Sequence, residues 1–488
     1  MNAMKNTCKL LVLLLLLGVS FQACDDLDDN SVPSDIAVNN FIWKGLNLYY
    51  LWQADVPDLA DNRFNDQKAL NTFLQSNNNS KDFFQHLLYM PKSLVSTNPV
   101  DRFSVLFDDY LELEGILAGT KKNSGADYGL YLKTSTGTDV FGIVRYVLPN
   151  SDAEAKGVKR GDIFYAVDGV SLNTDNFNEL LDKESYTLNL ADFNSGNITP
   201  NGNSVVLTKT VLSENPVYIN KVITSGSHKI GYLMYNGFYP NYETAMNNAF
   251  GEFKAQGITD FILDLRYNSG GSVETATHLA SMITGQFNGQ LFAREQWNAK
   301  AMAYYNSNNP ETLLNKFGTT INTGAAINSL NSSKIYILTT QATASASELI
   351  INGLKPYITI VQIGDTTTGK NVGSITLYDS PTFTKKDINK SHRYAMQPLV
   401  LKTLNRDGSS DYAKGFKPDF ERKENLANLG VLGDPSELYL SIAIAQITGN
   451  GKRFPQNQGQ MFDEFKNSKS INSVGTDMYV SKIPEGLN

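Results

Sequence analysis

Apolar residues near the start of the chain recur with a helical period. Phe41, Ile42, Leu46, Tyr49 and Tyr50 fall on one 3.6-residue face, and Phe83, Phe84, Leu87 and Leu88 on another. Residues 36–120 therefore read as a helical region, interrupted by Asn-rich loops such as Asn77–Asn79. Beyond residue 121 the period shortens. Tyr128-Gly129-Leu130-Tyr131 and Phe141–Leu148 are strand-like runs. Ser151 can cap a short helix ending at Gly157, Gly161-Asp162 turns into the strand Ile163–Val167, and Asp168-Gly169 is a hairpin signal. Residues 121–215 thus read as a β-rich unit. From 216 to 448, strands at Lys229–Tyr235, Phe261–Leu265, Ile335–Leu338 and Ile358–Ile363 alternate with helices at Ala245–Phe253 and Val273–Ile283. That alternation predicts an α/β domain with helices covering a sheet. Residues 449–488 are polar and rich in Asn and Gln, and read as a surface-packed or loose extension.

Ahead of these elements, Lys5 and Lys9 precede an apolar run, Leu10–Leu17, and small residues lead up to Cys24. This is the pattern of a secretory signal, and the run falls short of the about 20 apolar residues that span a bilayer. Phe21-Gln22-Ala23-Cys24 resembles the lipobox of bacterial lipoproteins. The resemblance implies a signal peptide over 1–23, lipidation of Cys24 and a membrane anchor. Asp25, Asp26, Asp28 and Asp29 make residues 24–35 an acidic tether. They also resemble the acidic stretch after the lipid cysteine in surface lipoproteins of Bacteroidetes-type bacteria. The expected location is the cell envelope, at the outer membrane, facing the periplasm or the cell surface.

Composition narrows the chemistry. The net charge of the 488 residues is −7, and no Lys/Arg stripe is present, which argues against a nucleic-acid partner. The two cysteines, Cys8 and Cys24, leave the rest of the chain without disulfides or cysteine-bound metal. Of the four histidines, His86, His228, His278 and His392, none begins an H-E-x-x-H run, so zinc hydrolase chemistry has no support.

Three segments of the α/β region carry candidate chemistry. Leu263–Gly271, L-D-L-R-Y-N-S-G-G, ends a buried strand in paired glycines, where backbone N–H groups can approach a ligand oxygen closely; tight turns also use glycine for geometry alone. Gln341–Ile350, Q-A-T-A-S-A-S-E-L-I, places Ser345 at a helix N-terminus, where free N–H groups stabilise a developing oxyanion. Ser345-Ala346-Ser347-Glu348 is equally the pattern of a capping box. Gly364–Asn371, G-D-T-T-T-G-K-N, carries Lys370. A lysine acts as a base near pH 7 only when burial lowers its pKa from about 10.4, whereas most lysines stay exposed. Gly364–Lys370 also approaches the phosphate-binding G-x-x-x-x-G-K-[ST] pattern, but Asn371 replaces the hydroxyl residue and an extended run, not a helix, follows.

The order and spacing of these segments resemble the C-terminal processing (tail-specific) serine peptidases, relatives of the tricorn core peptidases. That family has a strand ending in L-D-L-R-x-N-x-G-G, a serine in a run like S-A-S-A-S-E-I, and a lysine 25 residues later. In this chain Lys370 follows Ser345 by that interval, which selects Ser345 over Ser347. The run from Ser151 to Val170 resembles a circularly permuted bacterial PDZ domain, with Tyr128-Gly129-Leu130 where the family's carboxylate-binding loop lies. Asp101-Arg102-Phe103-Ser104 extends the resemblance, which covers about residues 101–445.

The resemblance implies a crotonase/ClpP-like α/β catalytic domain joined to a β-rich PDZ-like domain and an N-terminal helical region. It implies a Ser345–Lys370 dyad, and oxyanion donors at Gly270 or Gly271 and at the Ala346 amide. Tyr128, Gly129 and Leu130 would bind a polypeptide near its C-terminus, and no metal or organic cofactor is involved. One departure stands out: Ser374 occupies the position of a Gln that orients the lysine in typical members. His86 is the remaining candidate for a histidine base as in the tricorn branch, although no motif supports it. A non-catalytic lipoprotein binding peptides or a hydrophobic ligand on the same fold is the alternative of a different class.

Overall fold

The computed structural model describes residues 32–194, 196–451, 462–471, 478–484 and 487. The signal peptide, Cys24 and most of the acidic tether lie outside the described residues.

The helical region comprises α1 (Ala37–Tyr49), Gln67–Gln75, Ser80–His86 and Tyr110–Leu117. It does not form a separate body. Phe41, Ile42, Leu46 and Tyr50 of this region share a core with Trp297, Leu377, Met396 and Leu401, and the short strand Val105–Phe107 pairs with Ala395–Gln397. A helical period shows which face is buried but not its partner, so the sequence pattern alone does not name this shared core.

The β-rich unit contains β1 (Ala126–Leu132), β2 (Val140–Val147), β3 (Ile163–Val167), β4 (Ser185–Asn194) and β5 (Asn197–Thr208), antiparallel in that order. Its short helix α2 (Phe177–Asp182) packs Leu180 and Leu181 onto the same core as Tyr128 and Leu130.

The α/β domain is organised by a six-stranded sheet in the order β6 (Val217–Ser225), β7 (His228–Tyr235), β8 (Asp260–Asp264), β9 (Lys334–Thr339), β10 (Thr359–Gly364) and β11 (Phe420–Glu421). Only the β6–β7 pair is antiparallel. Side chains alternate between two buried faces, as the two-residue period of a strand requires. Ile230, Tyr232 and Met234 of β7 meet Tyr439, Leu440 and Ala443 of a helix at Leu438–Ile447. Leu233 and Tyr235 face Phe250, Phe253 and Leu279 on the helices Glu243–Gln256 and Val273–Thr284.

Asp264 interrupts the apolar run of β8 because it has a buried partner. Arg266, fully buried, donates to Asp264 and, at 2.7 and 2.9 Å, to the two carboxylate oxygens of Glu437, while Tyr232 Oη donates to Asp264 at 2.6 Å. Burying such charges is tolerable only when each is paired. The network also ties the β-rich unit to this domain: Arg160 donates to Tyr267 Oη (2.8 Å) and to Glu424 (3.0 Å).

Two segments of the polar tail are packed into sheets. Glu464–Asn467 (β12) joins the edge of the β-rich sheet along β1, and Met478–Tyr479 (β13) lies between Gly271–Ser272 and Val372–Ser374 in a third sheet. Both additions rest on main-chain pairing, which leaves little trace in composition.

Candidate active site

The three motif segments each follow the C-terminal end of a neighbouring parallel strand: β8, β9 and β10. Register sets Asp264 beside Leu338 and Thr339 beside Gly364. The loops after these strands therefore emerge at one edge, where ligands of parallel α/β sheets are usually held.

Short hydrogen bonds knit the loops together. Thr343 Oγ1 donates to the Leu265 carbonyl at 2.8 Å, Thr340 Oγ1 donates to the Arg266 carbonyl, and the Ala344 N–H donates to the Asn268 carbonyl at 3.1 Å. On the other side, the Thr368 N–H donates to the Thr343 carbonyl at 3.0 Å and its Oγ1 to the Gln341 carbonyl at 2.6 Å.

Glu348 is the hub. One carboxylate oxygen, Oε2, accepts the backbone N–H of Ser345 and that of Lys370, each at 2.8 Å; Oε1 accepts from Gly369 N–H (2.7 Å) and Thr367 Oγ1 (2.5 Å). The backbone nitrogens of Ser345 and Lys370 are thus no farther apart than twice one hydrogen-bond length. Burial pushes the Glu348 carboxyl above the usual glutamate range, and the bonds from Thr367, Lys370, Ser345 and Gly369 pull it back.

Ser345 caps α3 (Ala346–Leu354) with φ 66° and ψ −118°, a conformation that costs a non-glycine residue about 1–3 kcal/mol. Only the Glu348 half of the capping pattern is a full hydrogen bond. The fully buried Ser345 Oγ has no hydrogen-bond partner among the described residues. The neighbouring Ser347 Oγ, by contrast, donates to the Asn268 carbonyl at 3.1 Å.

Lys370 is fully buried, not an exposed loop lysine, and its Nζ lies 4.6 Å from the centroid of the Phe103 ring. Arg102 holds the loop from the same side by donating to the Gly369 carbonyl. Ser374 is buried as well, but its hydroxyl donates to the Met478 carbonyl at 3.1 Å.

Both candidate oxyanion glycines occupy left-handed backbone, at φ 117° for Gly270 and 135° for Gly271. A Cβ on Gly270 would stand 2.6 Å from Ser345 Cβ and 2.8 Å from its Oγ, and one on Gly271 would stand 2.4 Å from the Phe238 carbonyl oxygen. Only glycine fits either place. The Gly270 N–H is already donated to Asn268 Oδ1 at 2.9 Å, and Gly271 is paired in the ladder with Met478, which shifts the candidate donor set toward Ala346. Ala346 begins the helix, where N–H groups have no intrahelical acceptor.

Tyr128, Gly129 and Leu130 lie within β1 and are buried, with β2 on one side and β12 on the other. His86 is exposed at the end of its helix. His228, His278 and His392 pair with Asp260, Glu243 and Asp379 at 2.7, 2.8 and 2.8 Å. Neither Ser345 nor Lys370 is among these histidines' partners. Sequence reasoning took Glu348 for a helix cap and noticed Arg102 and Phe103 only as part of a longer resemblance. A carboxylate three residues beyond a candidate nucleophile was the available signal for the first.

Glu348→Gln is expected to lower kcat about 100-fold with little change in KM, because an amide cannot accept four donors at once. It should also cost about 2–4 kcal/mol of stability as donors are orphaned. Wild-type kcat/KM is expected to fall on acidification at a pH above the ordinary glutamate range, as this carboxyl protonates. Steady-state kinetics against pH, with thermal melts of both forms, check these outcomes; unchanged kcat in the variant would remove Glu348 from its positioning role.

The model of peptidase family S41 matches residues 229–422, and that of the S41 N-terminal domain matches residues 37–105. A carboxyl-terminal-processing protease of Picosynechococcus is 26% identical over 248 residues, 50% of this chain and 54% of that protein. A carboxyl-terminal-processing peptidase 2 of Arabidopsis thaliana chloroplasts is 27% identical over 251 residues, 49% of this chain and 44% of that protein. The chain thus spans about half the length of the curated relatives it matches. A solved S41 protease structure from Bacteroides fragilis superposes with a TM-score of 0.63 at 26% identity, covering 84% of this chain and 98% of that one. Two S41 models matching in order, on either side of the β-rich unit, and a solved relative that follows most of the chain place this protein in peptidase family S41.

Proposed function

We propose that the protein is a serine endopeptidase of the C-terminal processing type, working through a Ser345–Lys370 dyad on a crotonase/ClpP-like α/β domain. The observation that carries this reading is the shared Glu348 oxygen, which holds the backbones of Ser345 and Lys370 together while the Ser345 hydroxyl has no hydrogen-bond partner among the described residues. Lys370, as neutral amine, accepts the Ser345 proton while Oγ attacks the scissile carbonyl. The Ala346 N–H at the start of α3 is the donor for the developing oxyanion. The lysine returns the proton to the leaving amine, then activates the water that hydrolyses the acyl-enzyme.

The β-rich unit serves as a PDZ-like module that captures a polypeptide near its C-terminus along the β1 edge. The curated relatives named as carboxyl-terminal-processing proteases support that substrate class. Residues 1–23 and Cys24 supply a signal peptide and lipid anchor to the cell envelope, the acidic run acting as spacer.

A serine-reactive fluorophosphonate probe tests the nucleophile. Mass spectrometry of the labelled full-length protein is expected to place the adduct on Ser345. Labelling of Ser347 alone, or none after prolonged incubation while the protein still cleaves an unstructured polypeptide, would reject the assignment.

A further inference from the structure

The edge along which the proposed module would capture a polypeptide is occupied by the chain's own tail. β12 runs antiparallel to β1, with Glu464 opposite Tyr131, Lys466 opposite Leu130 and Asn467 opposite Gly129. The ladder extends at both ends: the Leu132 N–H donates to the Asp463 carbonyl at 3.1 Å and the Ser468 N–H to the Tyr128 carbonyl at 2.9 Å. Phe465 stands edge-on to Phe177 at the start of α2, with ring centroids 5.2 Å apart, and Ile471 packs on the same core. A strand added to a sheet edge, with its side chains against a flanking helix, is the general way such an edge holds an extended peptide.

The tail then turns toward the catalytic loops. Ser468 Oγ donates to Asp127 at 2.6 Å. Lys469, almost wholly buried, donates to the carbonyls of Asn236 (2.7 Å) and Tyr267 (3.2 Å). Lys469 and Tyr479 line the cleft whose wall includes Ser269, Gly270 and Gly271.

We infer that residues 462–471 are an intramolecular pseudosubstrate: they fill the capture edge of the β-rich unit and narrow the cleft at the oxyanion glycines until a polypeptide displaces them. The inference rests on the peptidase reading for its effect on turnover, but not for the docking itself. A tethered competitor acts at an effective concentration near the millimolar range, so it weakens capture of weak ligands strongly while yielding to tight ones. The ligand it models is an extended segment with an aromatic residue three positions before a small hydroxyl residue, as Phe465 precedes Ser468.

The test uses full-length protein and a fluorescent, end-blocked peptide of residues 462–471. Two substitutions loosen the tail by different means: Phe465→Ala removes the aromatic contact, and Ser468→Ala removes only a hydroxyl. By anisotropy, both variants are expected to bind the peptide at least tenfold more tightly than wild type and to cleave β-casein at least fivefold faster. Equal peptide affinity in all three forms would overturn the inference. Tighter binding by the variants without casein cleavage by any form would uphold the docked tail and reject the peptidase reading instead.

Discussion

Replacing Ser345 by alanine is expected to abolish hydrolysis of an unstructured polypeptide, by roughly 10⁴-fold or more, the scale of removing a nucleophile from a serine peptidase. The same change is expected to raise stability, by about 1 kcal/mol, because it deletes a buried hydroxyl without a hydrogen-bond partner among the described residues. Ser345→Gly should add to that gain by relieving the left-handed backbone at φ 66°. Activity lost as stability rises is the signature of a site that holds strain for chemistry. Digests followed by mass spectrometry, alongside thermal melts, give both readouts. Undiminished cleavage by Ser345→Ala would dismiss it as the nucleophile; a sharp drop in stability would show that the hydroxyl has a structural role.

Lys370→Met and Lys370→Arg are expected to lose activity equally, by about 10³-fold or more. Methionine fills a similar volume against Phe103 but cannot take a proton. Arginine keeps a cation in place but stays protonated at every accessible pH. A base is the function that both variants lack, so matched losses separate base catalysis from simple charge or packing. If Lys370→Arg retained most of its activity, charge rather than proton transfer would be the requirement. A loss of only several-fold in both would favour a histidine-based system, for which His86, exposed at its helix end, would have to move.

Much of this site was legible along the chain because its parts are local. The glycine pair after an apolar strand, the serine before an apolar helix and the lysine after another strand each have a sequence pattern. Resemblance to a family with a 25-residue serine-to-lysine interval selects Ser345 over Ser347 before any geometry, and the bond from Ser347 Oγ to the Asn268 carbonyl is consistent with that choice. The illegible parts join distant residues. Glu348 reads as a cap because its Ser345 bond is local, whereas its bonds to Thr367, Gly369 and Lys370 depend on two strands lying side by side. The bond from Ser374 Oγ to the Met478 carbonyl likewise depends on a strand from the far end of the chain.

The sequence by itself determined the element types, the mixed α/β class and the three loops of candidate chemistry, since hydrophobic period and turn residues act within a few positions. Only the tertiary structure decided that those loops meet on one carboxylate, that the helical region shares a core with the α/β domain, and that the polar tail completes two sheets. Those outcomes rest on parallel register, on side-chain packing in a shared core and on main-chain hydrogen bonds between residues up to hundreds of positions apart. Backbone amides are the same whatever side chain they carry, so such pairings write no pattern into the chain.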